Sequence, residues 1–82
     1  MVISADDVKR LLQAQDDAVL VLIEGRTDVI TEAETDSSQY RGALQVVSRR
    51  DLVKRTGGVD LSEHEIAEQA ALLDTMVSEL GG

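Results

Sequence analysis

The sequence predicts a small single-domain α+β fold of order α-β-β-β-α-α, with a short, mostly antiparallel sheet packed against helices, and three observations carry that prediction. One helix-start pattern occurs at three separate places. Apolar runs of strand length lie between the first and second of these starts. The segment from Ser62 to Leu80 carries a long apolar stripe with steps of three and four, the period of an amphipathic helix.

The start pattern is an aliphatic residue, a Ser, two variable residues, an acid and another aliphatic residue. In Ile3-Ser4-Ala5-Asp6-Asp7-Val8, Ser4 can accept from the open N–H groups of the first turn. Asp7 can reach back to the Ser4 N–H, and Ile3 can staple onto Val8. Val47-Ser48-Arg49-Arg50-Asp51-Leu52 repeats the arrangement, and Leu61-Ser62-Glu63-His64-Glu65-Ile66 repeats it with the preferred Glu. The first helix is expected from Ser4 to about Gln15, broken by Asp16-Asp17. The second runs from Ser48 to about Arg55 and closes at Gly57-Gly58, and the third runs from Ser62 to Leu80 with Gly81 as its terminating residue.

Strands are expected over Ala18–Ile23, from Asp28 to about Ala33, and over Ala43–Val47. The first has no polar face, so it is expected to be central and covered on both sides, by a helix on one face and a second layer opposite, which a dimer partner could supply. Glu24-Gly25-Arg26-Thr27 reads as a hairpin loop, and Glu34 to Gly42 as a polar, mobile connection.

Composition narrows the class. The whole chain, residues 1–82, is expected to form one domain. Leu, Ile and Val supply 24 residues, Tyr40 is the single aromatic and Cys is absent, so the core must be aliphatic and without staples. Small cores of that kind often gain stability by self-association, and a homodimer is expected. The start of the chain lacks a basic segment followed by an apolar run, so a secretory signal is not expected. The longest apolar run, Ala18 to Ile23, falls far short of the roughly 18 residues of a membrane span. A cytoplasmic location follows as the default. The net charge of −8 disfavours nucleic acid and anionic lipid, and favours protein partners.

That charge is unevenly spread. Residues 41 to 55 carry Arg41, Arg49, Arg50, Lys54 and Arg55 against Asp51, whereas residues 56 to 82 hold six acids and no Lys or Arg. Arg50 and Lys54 share a helical face. The basic helix is therefore expected either to neutralise the acidic third helix within the chain or to meet an acidic or phosphorylated partner through Arg49, Arg50, Lys54 and Arg55.

The stretch Gln45-Val46-Val47-Ser48-Arg49-Arg50-Asp51-Leu52-Val53 also resembles the closing strand and helix of CBS domains, which contact adenosine nucleotides. The resemblance implies that Ser48 meets a phosphate and Asp51 the ribose hydroxyls, and that two such modules pair to form the site. Gln45 stands where that family usually has Gly, and helix capping explains the same Ser-x-x-acid spacing.

Leu72 and Met76 lie beside the Ile66, Ala70, Leu73, Val77, Leu80 stripe and widen its apolar face, so one surface is expected to pack inward and the other to meet a partner. His64, the only imidazole, has no second His or Cys with which to form a transition-metal site and reads as a solvated helix-start residue. Glu32, Glu34 and Asp36 read as a solvated acidic loop. Gly81-Gly82 resembles the tail of ubiquitin-like and sulfur-carrier proteins, although a helix rather than a strand is expected before it. No nucleophile has an adjacent base held by a third group, so no enzyme, cofactor or metal is expected. The function expected from sequence is a protein-interaction module.

Overall fold

β1 (Ala18–Ile23), with an unbroken AVLVLI sequence, forms the middle of a three-stranded antiparallel sheet of order β2-β1-β3. The computed structural model describes residues 2–81 and gives the element order α1 (Ala5–Gln13), β1, β2 (Arg26–Thr31), a 3-10 turn over Ala33–Asp36, β3 (Leu44–Ser48), α2 (Arg49–Thr56) and α3 (Glu63–Gly81). This is the α+β order that the sequence predicts.

Alternation along β1 sends its side chains into two cores. Ala18 and Leu20 join Val8, Leu11 and Leu12 of α1, Leu52 of α2, and Ile66, Ala70, Leu73 and Val77 of α3 in the main core. Val19 and Val21 point the other way and, with Ile30, form a second cluster packed against Tyr40 and Ala43. The layer over this second face is thus the chain's own connection between β2 and β3, where the sequence left room for a dimer partner. The segment is also more structured than a mobile loop. After the 3-10 turn, Ser37 N–H donates to Glu34, Tyr40 N–H to Ser37 and Ala43 N–H to Tyr40, at 3.0, 3.1 and 3.0 Å. Tyr40 Oη donates to Asp28 Oδ2 at 2.7 Å and pins the connection to β2.

Two of the three helix starts form the full reciprocal cap. Ser4 Oγ accepts from Asp7 N–H while Asp7 Oδ2 accepts from Ser4 N–H, at 3.3 and 2.9 Å. Ser62 and Glu65 exchange the same pair of bonds at 3.1 Å each. At α2 only Ser48 Oγ accepts, from Asp51 N–H at 3.1 Å. Ser48 is also the last residue of β3, paired with Val19, so its backbone already belongs to the sheet.

Boundaries shift where local chemistry outweighs pattern. α1 stops at Gln13 rather than Gln15, with Ala14 extended as its C-cap. Glu24 and Gly25 have φ of 51° and 77°, the paired left-handed values of a two-residue hairpin turn whose twist matches the strands. Arg26 and Thr27 therefore pair with Ile23 and Leu22 instead of lying in a four-residue loop. β2 ends at Thr31, whose N–H and hydroxyl both donate to Glu34 Oε1. α2 closes at Gly57, φ 83°, as expected. α3, by contrast, continues through Gly81, so the expected stop at that glycine is not made; Gly82 lies outside the described residues.

Both sheet edges are blunted. Because the Ile23–Arg26 pair closes the hairpin, strand alternation turns the Val29 and Thr31 N–H groups away from β1. There they are occupied by Asp28 Oδ1 at 3.1 Å and Glu34 Oε1 at 3.0 Å. On the opposite edge Leu20 pairs with Val47 and Val21 with Gln45, leaving Val46 as a bulge. No described helix is long and apolar enough to cross a membrane.

The N-terminal segment is held by a long-range clasp. Asp74 Oδ1 on α3 accepts from Ile3 N–H at 3.0 Å and Val2 N–H at 2.6 Å, and these bonds hold its carboxyl below the usual carboxylate range. A depressed folded-state value means that the clasp stabilises fully above the unfolded carboxylate pKa and is lost as pH falls through the folded one. Asp74→Asn keeps an acceptor oxygen but removes the titration. In urea unfolding at a series of pH values, the wild type's advantage over this variant should be largest near neutrality and shrink in acid; an advantage independent of pH would contradict the charge-based account.

Candidate interaction surfaces

The basic residues of α2 divide by task. Arg49 points back under α1, donating from Nε to the Leu12 carbonyl at 3.1 Å and from Nη1 to Asp16 Oδ1 at 3.0 Å. Its side chain is only 17% exposed, which places this guanidinium in the structural joint between the end of α1 and the start of α2. Arg50, Lys54 and Arg55 are exposed and, among the described residues, make no ion pair. Arg41, exposed on the β2–β3 connection, makes none either. Among the described residues, no ion pair joins α2 to α3. The bridge that reaches α3 from elsewhere in the chain comes from Lys9 of α1, to Glu63 at 3.7 Å.

Asp16, Arg49, Arg50, Val53 and Lys54 line an open cleft of about 230 Å³ at the start of α2. Val53 is half-buried and supplies the apolar part of this lining beside the Arg50 and Lys54 cations. Asp51 stands beside these residues, exposed, and its carboxylate carries no hydrogen bond among the described residues. Ser48 Oγ is engaged as the cap.

α3 presents a different surface. Ile66, Ala70, Leu73 and Val77 are buried, whereas Leu72 and Met76, one turn apart on the flank, are 50% and 39% exposed. Leu80 belongs to the same sequence stripe as the buried residues, yet it is 69% exposed. A wider groove of about 500 Å³ lies between α1 and the α2–α3 connection, with Lys9 and Glu63 on it and Val59 partly exposed in its wall.

The remaining titratable groups have local tasks. Asp7 is buried and accepts from Ser4, from Thr27 Oγ1 at 2.8 Å and from Arg10. Burial pushes its carboxyl upward, but the bonds from the Ser4 N–H, Thr27, Arg10 and the Ser4 hydroxyl outweigh that and hold it below the usual range. Tyr40 is held above its ordinary value, first by its bond to Asp28. His64 is exposed, with Nε2 3.0 Å from Glu68 Oε1 one turn on. Glu34 spends its carboxylate on Thr31, so the Glu32, Glu34, Asp36 series does not converge. No three His, Cys, Asp or Glu side chains among the described residues are placed to hold a metal ion.

Sequence pattern located Arg50, Lys54, Arg55, Leu72 and Met76 on accessible helix surfaces. It did not separate Arg49 from its neighbours, because the acceptors on Leu12 and Asp16 are far away in sequence. Asp74 and the Tyr40–Asp28 pair were also silent, since each depends on tertiary proximity without a local motif.

Comparison with protein-family models gives no match, and comparisons with curated proteins and with solved structures give none either.

The division within α2 is measurable. Arg49→Ala should lower stability by about 1–3 kcal/mol through loss of two bonds from a charged donor. Arg50→Ala and Lys54→Ala should stay within about 0.5 kcal/mol of wild type. Equal losses at all three positions in chemical denaturation would contradict this assignment.

Proposed function

We propose that the chain is a non-enzymatic interaction module that self-associates through the Leu72 and Met76 flank of α3 and offers the Arg50, Lys54 and Arg55 surface of α2 to an acidic partner. The observation carrying this reading is that α3 leaves three large apolar side chains in water, Leu72 and Met76 together on one flank and Leu80 near its end, while its buried residues are already satisfied by the chain's own core. Sheet-to-sheet assembly is disfavoured by the capped β2 edge and the bulged β3 edge, which leaves helical surfaces to make the contact. Arg50, Lys54 and Arg55, unlike Arg49, have no ion-pair partner among the described residues and so retain their charge for another molecule. The proposed setting is the cytoplasm, in keeping with a chain that has no Cys.

Sedimentation equilibrium over a wide concentration range tests the assembly. The wild type should self-associate, and the L72S/M76S variant should do so at least about tenfold more weakly, with helix content unchanged. A wild type that stays monomeric throughout would remove the assembly claim.

A second reading has one observation in its favour. The unbonded Asp51 carboxylate beside a basic cleft, on the segment resembling CBS domains, suits an adenosine nucleotide bound at Ser48 and Asp51, its ribose on Asp51 and its phosphate at the Ser48 helix start, with Arg50 and Lys54 beside it. Titration with adenosine nucleotides should then move the amide signals of residues 48–52 in NMR spectra; unmoved signals would eliminate this alternative.

A further inference from the structure

The flank of α3 is rimmed by acids. Glu68, Leu72, Met76 and Glu79 follow one another at steps of four, four and three, so they share one helix face, and all four are exposed. Pairing this face with its own copy would bring like charges together in either orientation. An antiparallel pair centred between Leu72 and Met76 sets Glu68 opposite Glu79 of the other copy, and a parallel pair sets each Glu opposite itself. The complementary surface is on α2, where Val53 lines one cleft beside Arg50 and Lys54 and, among the described residues, no acid is paired to either cation.

We infer that the acidic partner of α2 is α3 of a second copy of this chain, Leu72 and Met76 seating against Val53 while Glu68 and Glu79 face Arg50 and Lys54. The inference rests on the reading of both helices as interaction surfaces and makes them two halves of one contact. Within a single chain the two halves do not meet, since among the described residues no ion pair joins α2 to α3. Charge also selects the orientation: a cation-rimmed apolar patch meets an acid-rimmed one, while α2 against α2 and α3 against α3 are both repelled.

Charge reversal with exchange is the test. R50E/K54E and E68K/E79K alter exposed positions, and only the His64–Glu68 surface pair is lost, which contributes little to stability. Circular dichroism confirms the fold of each variant. Each alone should self-associate about tenfold more weakly than wild type, because every contact now opposes like charges. An equimolar mixture should recover wild-type affinity, since one contact of the mixed pair is native and the other has both signs exchanged. If both variants assemble like wild type while L72S/M76S does not, α3 meets something other than α2 and the inference fails, with the assembly reading left standing. Weakening by both variants without recovery on mixing would also overturn the pairing. A monomeric wild type would bring down both.

Discussion

A central strand with no polar side is the constraint from which the rest of this architecture follows. β1 cannot turn either face to water, so each needs a cover, and 82 residues leave few segments to supply one. Three helices close one face with branched aliphatic side chains. On the other, a polar stretch is drawn across by Tyr40, the chain's only aromatic residue, whose hydroxyl finds Asp28 while its ring covers Val19, Val21 and Ile30. A segment rich in Glu, Thr, Asp and Ser thereby becomes a structural layer because one amphipathic side chain anchors it.

The same economy governs the sheet margins. Asp28 accepts from Val29 on one carboxylate oxygen and from Tyr40 on the other, so a single side chain both quiets an edge and fastens the covering layer. Glu34 acts likewise, ending β2 and masking the outward N–H of Thr31. These carboxylates are part of why an acidic chain can carry a three-stranded sheet without offering it as a template for further strands.

Most of the scaffold was legible because its signals are local. A Ser-x-x-acid spacing needs only one helical turn to be satisfied, and the Ile66-to-Val77 period needs only one face to be buried. The three helices and the central strand were therefore identifiable from short windows. Residues that depend on distant partners were not. Arg49 looks like Arg50 until Leu12 and Asp16 are brought beside it, and nothing near Asp74 in sequence signals that it holds the opposite end of the chain. Leu80 misled for the converse reason: it keeps the helical period of the buried stripe but remains 69% exposed. The surfaces on α2 and α3 could be assigned by face, whereas the absence of ion pairs between them required tertiary contacts.

The union of Val2 and Ile3 with Asp74 ties together parts of the chain that leave the ribosome more than 70 residues apart. α1 packs chiefly against α3, and it is made before the sheet while its cover is made after it. Val8 and Leu11 must wait through the synthesis of the entire sheet before their final neighbours exist. The nascent hairpin and α2 can form early from nearby contacts, but locking of the main core is deferred until α3 has emerged. For this molecule, closure of the main core follows the synthesis of α3, and α1 stays without its chief cover while β1 to α2 are made.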